Sequence, residues 1–228
     1  MDGYEYICVL NFEATCDNIK YYDNEIIEFP SILLKWNGIN YEPISEFQKF
    51  CKPLVRPFIS EYCHRLTGIT QAQIDNASNF ADVLIDHNNW LIENTGGNVI
   101  ILTCGHWDLG TMMVNECIKW SILPSEFYFK YVNIKKEFNI FYKTNRLYDM
   151  APMLDKLNIK LEDRHDSGID DCRNISKILI RMVHDGFIIN KDSIVNINND
   201  LYKINNKKEN PIEWGKFRSE RLYHSKNY

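Results

Sequence analysis

The apolar run Ile7-Cys8-Val9-Leu10 within residues 4–12 predicts a largely buried strand. A second strand is predicted over residues 25–36, which carry Ile26, Ile27, Phe29, Ile32, Leu33 and Leu34. Asn37-Gly38 is a strong hairpin signal and leads into a third strand over residues 41–51. The period then changes. Phe80, Val83, Leu84 and Leu91 fall near helical spacing, Val99–Thr103 reads as a buried strand, and residues 109–120 are helical again. Residues 131–134 suit a short strand and residues 147–157 a helix. Residues 169–183 form a clear amphipathic helix, with Ile169, Cys172, Ile175, Leu179, Met182 and Val183 on one face. Three antiparallel strands followed by alternating helices and strands indicate an α/β domain built on a mixed central sheet flanked by helices.

The pattern fades after Phe187, so the domain is placed at residues 1–189. Residues 190–228 are set apart as a polar extension that Trp214, Phe217, Leu222 and Tyr223 could dock on the body or on a protein partner. Charge divides at the same place. Residues 1–189 hold 18 Lys and Arg against 26 Asp and Glu, a net of −8, whereas the extension has a net of +3. An acidic body argues against a broad, non-specific nucleic-acid surface but permits a carboxylate metal site with a local basic rim. The seven cysteines form no C-x-x-C pair, which suggests reduced thiols rather than a disulfide framework or structural zinc. No stretch reaches the ~20 apolar residues of a membrane span, so a cytoplasmic or nuclear protein is expected.

Candidate chemistry starts at the end of the first strand, in Asn11-Phe12-Glu13-Ala14-Thr15-Cys16. A period of two puts residues 11 and 13 on one face, where two carboxylates would make half of a divalent-metal site. Only Glu13 is a carboxylate. Asp108 lies early in the helix after the 99–103 strand, and Asp170-Asp171 open the 169–183 helix, where acids also suit the helix dipole. Convergence of Glu13, Asp108 and Asp171 at one sheet edge would present oxygen ligands to Mg²⁺.

Five segments in order give these acids a context: Phe12-Glu13-Ala14-Thr15-Cys16, Leu66-Thr67-Gly68-Ile69, Thr103-Cys104-Gly105-His106-Trp107-Asp108, Asn133-Ile134-Lys135-Lys136-Glu137-Phe138 and Ser167-Gly168-Ile169-Asp170-Asp171-Cys172-Arg173-Asn174. Together they resemble the DEDDh 3′-to-5′ exoribonucleases of the Eri-1-like branch, which trims histone messenger, ribosomal and small interfering RNAs. The resemblance implies a ribonuclease H-like exonuclease fold and a pair of Mg²⁺ or Mn²⁺ ions. It implies metal-ligand positions at Asn11, Glu13, Asp108 and Asp171, with the base position five residues before Asp171, at Asp166. It further implies a terminal-nucleotide pocket involving Phe12, Ala14, Thr15, Leu66 and Ile69; Lys135, Lys136, Arg164 and Arg173 are, by their charge, candidates for phosphate contacts.

Two positions depart from that pattern. Asn11 stands where the family has Asp and lacks the charge that bridges two divalent ions. Asp166 stands where the family has its general-base His, and His165 is one residue too early; on an extended loop the two neighbours point opposite ways. These departures make weak or absent metal binding the expectation. The protein is then an inactive or strongly impaired exoribonuclease that retains weak binding of single-stranded RNA 3′ ends or docks a protein partner. The alternative is a working Mg²⁺- or Mn²⁺-dependent enzyme with Asp166 or His165 as base.

Overall fold

Strand β1 (Tyr6–Leu10) is buried on both faces because its alternate side chains enter two different cores. Cys8 and Leu10 point into one, Ile7 and Val9 into the other. The computed structural model describes residues 4–19 and 23–197. Around β1 the chain builds an eight-stranded mixed sheet. Strand β3 (Ile26–Trp36) runs antiparallel to β1 and to β4 (Tyr41–Lys52), as the Asn37-Gly38 turn dictates. The short β2 (Glu13–Ala14) re-pairs with β3 through an irregular register. Further along, β5 (Ser78–Asn79) adds in parallel to β4, β6 (Val99–Thr103) lies parallel to β1, and β7 (Lys130–Asn133) lies parallel to β6.

Helices cover both faces. Residues of α3 (Phe80–Thr95) and α4 (Val114–Trp120) pack on the Cys8 and Leu10 face. Residues of α5 (Ile134–Tyr142), α6 (Met150–Lys156) and α7 (Gly168–His184) pack on the Ile7 and Val9 face. Two short helices, α1 (Glu61–Thr67) and α2 (Gln71–Asp75), flank the Thr67-Gly68-Ile69 turn and are capped by Ser60 and Thr70. The segment expected as a helix over 109–120 begins instead as a π turn, Asp108–Met113. Gly110 leaves the space in which the His106 ring lies.

The sheet does not stop at residue 189. Strand β8 (Ile194–Asn196) pairs antiparallel with β7, and the Ile197 N–H donates to Phe129 O at 2.8 Å. The start of the polar extension thus adds a three-residue edge strand to the body. Trp214, Phe217, Leu222 and Tyr223 lie outside the described residues.

Candidate active site

The parallel strands β1 and β6 end side by side, Leu10 beside Thr103, at the edge where open α/β sheets present their chemistry. Beyond Leu10 the chain turns through Asn11 and Phe12. The Phe12 N–H donates to Asp108 Oδ1 at 2.8 Å, which ties this turn to the segment following β6. Glu13 then re-enters the sheet opposite Glu28 of β3.

The third acid arrives on α7. Its first residue, Gly168, is packed so tightly that a Cβ would stand 2.7 Å from Pro30 Cγ and 3.0 Å from both Asn11 O and Glu28 Oε2. The Gly168 N–H donates to Glu28 Oε2 at 3.1 Å, and the Glu28 carboxylate also receives a hydrogen bond from the Ile169 backbone. Glu28 thus caps the helix that carries Asp171, by the same physics that places anions at helix N-termini. This residue was missed in the sequence, although an acid inside the apolar run Ile26-Ile27-Glu28-Phe29 was a readable signal: an almost fully buried carboxylate has a partner.

Burial pushes all three acids towards their neutral forms, and repulsion from neighbouring carboxylates adds to it at Glu13 and Asp171. Glu13 rises from 4.5 to about 9 through burial first and then the charges of Glu28, Asp171, Asp166 and Asp108. Asp108 rises to about 7, chiefly by burial against the relief of the Phe12 N–H. Asp171 rises to about 6 by burial, with His165 pulling it back down. Asp171 Oδ1 is buried and accepts no hydrogen bond.

The loop before α7 overturns the expectation that His165 and Asp166 face opposite ways. Asp166 is left-handed, with φ of +62°, so the loop is bent rather than extended. His165 Nδ1 lies 3.4 Å from Asp171 Oδ1 and 3.5 Å from Asp166 Oδ1. The ligand atoms of His165, Asp166 and Asp171 all fall within 4.8 Å of one another. The turn at Asp166 leaves the imidazole beside both acids. The Asp166 N–H donates to His165 Nδ1 at 2.8 Å, which occupies that nitrogen's lone pair and leaves the proton of the neutral ring on Nε2.

The expected pocket residues divide. Leu66 keeps 39% of its surface exposed beside the Thr67-Gly68-Ile69 turn. The Phe12 ring is instead in the core, edge-on to Phe29 with centroids 4.7 Å apart, and has no face to offer a nucleotide. Ile69 is buried with Cys63 and Ile74. Ala14 is buried, and the Thr15 hydroxyl accepts from the Glu25 N–H at 2.9 Å, so these two positions shape the site through backbone. Lys135 pairs with Asp149 and also feels the charge of Asp108, whereas Lys136 is exposed. Arg173 is committed to Glu46 and Asp170, at 2.7 and 2.8 Å, and Arg164 to the carbonyls of Arg65 and Leu66.

The exonuclease family profile matches residues 8–179, which include every one of these acids. The chain belongs to the exonuclease family. It is an Eri-1-like member of the DEDDh type, 38% identical over 189 residues to the rat 3′-5′ exoribonuclease 1, an alignment covering 80% of this chain and 54% of the relative. It thus spans about half the length of the curated relatives it matches. The nuclease domain of 3′hExo, a DEDDh family member bound to rAMP, superposes with a TM-score of 0.77 at 35% identity, over 80% of this chain and 94% of that one. A 3′-exonuclease solved in 3′-end specific recognition of the histone mRNA stem-loop gives a TM-score of 0.78 at 32% identity, over 86% and 72%.

Members of the DEDDh family use divalent metal ions, and most of the residues here fit them. Glu13, Asp108 and Asp171 offer hard oxygen atoms, and among the described residues the ligand atoms within 4.8 Å of one another are those of His165, Asp166 and Asp171. Asn11 is the exception: its side chain offers a neutral carbonyl in place of a charge.

Proposed function

We propose that this domain is a slow, divalent-metal-dependent 3′-to-5′ exoribonuclease acting on single-stranded RNA ends. In this reading the general base is present as His165, and the one chemical deficit is the missing charge at Asn11. The observation that carries it is the 3.4 Å approach of His165 Nδ1 to Asp171 Oδ1. Further support comes from the relatives, one solved with rAMP and another with an RNA 3′ end.

Glu13, Asp108 and Asp171 would hold the metal, with Asn11 as a weaker fourth donor. A bound divalent pair supplies charge stabilisation to the scissile phosphate and acidity to the attacking water. The protein's own groups do the rest. Exposed Leu66 offers an apolar wall for the terminal base, while the buried positions Ala14, Thr15 and Ile69 fix the backbone around it. Glu28 sets the depth of α7 and so the position of Asp171. His165 takes the proton of the attacking water at Nδ1, which requires the Asp166 N–H to let go of that lone pair. An imidazole base matches neutral pH far better than an aspartate does.

A second reading has one observation behind it. Asn11 lowers the charge of the set, so RNA 3′-end binding without turnover is what remains if the second ion never binds. Incubation of a 5′-labelled single-stranded RNA with Mg²⁺ or Mn²⁺ distinguishes the two. Progressive 3′ shortening, faster in Mn²⁺, is expected; saturable binding with no shortening in either metal would leave the binder.

A further inference from the structure

We propose that Arg164 is a positioning residue that clamps the His165 loop to the wall of the terminal-nucleotide pocket. The inference rests on the proposed exonuclease reading for its catalytic consequence, but not for its geometry. Arg164 Nη2 donates to Arg65 O at 2.6 Å and to Leu66 O at 3.1 Å, across almost a hundred residues of sequence. Those carbonyls belong to the last turn of α1, where helix oxygens lack intrahelical partners and the dipole is negative. The guanidinium carbon lies 3.0 Å from where a Cβ at Gly68 would stand, and Gly68 has φ of +79°. The glycine therefore serves the turn and clears the space in which the guanidinium lies.

The His165 loop needs such an anchor. Asp163 and Asp166 are both left-handed, with φ of +57° and +62°, a conformation that aspartate permits but does not fix by itself. His165 sits between the clamp and the turn at Asp166. Its neighbour Arg164 fixes one end of the short segment to α1, and Gly168, wedged against Pro30 and Glu28, fixes the other. Leu66 supplies both an exposed apolar side chain and one of the clamped carbonyls. Pocket wall and imidazole are thus tied through a single side chain. A lysine does not reproduce it, because both bonds leave Nη2 at the far end of a flat guanidinium lying over Gly68, whereas the shorter lysine side chain ends in a tetrahedral ammonium.

A phosphate contact by Arg164 is the competing role, and the two are separable. The experiment compares wild type with Arg164→Ala, Arg164→Lys and Gly68→Ala in the full chain. The readouts are steady-state kinetics on single-stranded RNA with Mn²⁺ and ¹⁵N spectra of the His165 ring in metal-free protein. The clamp predicts that all three variants lose about 10- to 100-fold in kcat with KM nearly unchanged, and that the single His165 ring signal broadens or splits. Gly68→Ala matters because it displaces the guanidinium without removing its charge. A raised KM with a steeper salt dependence in Arg164→Ala, together with an unaltered His165 signal and an unaffected Gly68→Ala, would overturn the clamp in favour of phosphate binding. Unchanged kinetics and spectra in all three would also overturn it. If wild type shows no hydrolysis while the His165 signal still changes in the variants, the clamp stands and the exonuclease reading fails. Should Arg164→Ala not fold, Arg164→Lys supplies the same comparison.

Discussion

His165 Nδ1 lies 3.4 Å from Asp171 Oδ1, with Asp166, between them in sequence, in a left-handed backbone conformation. This relationship separates the two candidates for the base. His165→Ala is expected to lower kcat by about 10²- to 10⁴-fold, whereas Asp166→Ala should stay within a few-fold of wild type. Asp166→Gly should stabilise the loop, since glycine accepts positive φ without strain. Single-turnover hydrolysis of labelled RNA measures the first pair and urea denaturation the last.

Glu28 predicts a second split. Glu28→Ala leaves the Gly168 and Ile169 amides unpartnered inside the protein and should cost about 1–3 kcal/mol of stability. Glu28→Gln keeps an acceptor oxygen and removes a negative charge that opposes Glu13, so it should cost less and lower the Glu13 pKa. Gly168→Ala forces α7 off Pro30 and belongs with the severe changes, at about 1–3 kcal/mol for overpacking. Chemical denaturation of the three variants orders them.

The pH dependence of stability follows from the same acids. Glu13, Asp108 and Asp171 have folded pKa values raised to about 9, 7 and 6, so the fold favours their protonated forms. Their contribution is fully present below their unfolded pKa values and is lost as pH rises through 6, 7 and 9. His87 acts in the opposite direction. It is buried between Ser31 Oγ and Tyr128 Oη, and its pKa is lowered to about 3, so its contribution is lost as pH falls from 6.5 towards 3. The three acids together outweigh His87 above about pH 4, so metal-free protein should melt progressively lower from pH 5 to pH 9. Added Mn²⁺ should raise Tm more at pH 8 than at pH 6, because it replaces the missing protons. Thermal melts with and without Mn²⁺ test this; a metal shift that shrinks as pH rises would contradict it.

How much of this was legible before the structure differs by element and by residue. The runs at 7–10, 26–34 and 99–103 announce β1, β3 and β6 because buried strands need continuous apolar sequence. The amphipathic period of α7 was equally plain. Helices α1, α2 and α5 are only seven, five and nine residues long, too short for a period to register, and depend on caps from Ser60, Thr70 and Asn133. Glu13, Asp108 and Asp171 were named from their order along the chain, and the fold brings the strand ends and α7 that carry them to one edge. The inward turn of His165 was not legible, because it depends on the sign of φ at Asp166, and aspartate permits either sign. The core position of Phe12 was hidden for a different reason: its partner Phe29 stands on another strand.

The central claim is that the site lacks one charge and keeps its base. Single-turnover hydrolysis of a 5′-labelled single-stranded RNA in Mg²⁺, by Asn11→Asp and by Asn11→Asp combined with His165→Ala, tests it most directly. The account predicts that Asn11→Asp alone raises the rate by at least about 100-fold, since the ions and the base act as a unit. It also predicts that His165→Ala removes that gain. A rate that stays at background in Asn11→Asp and rises only when Asp166→His is added would contradict the account, because the base would then be missing from the native chain.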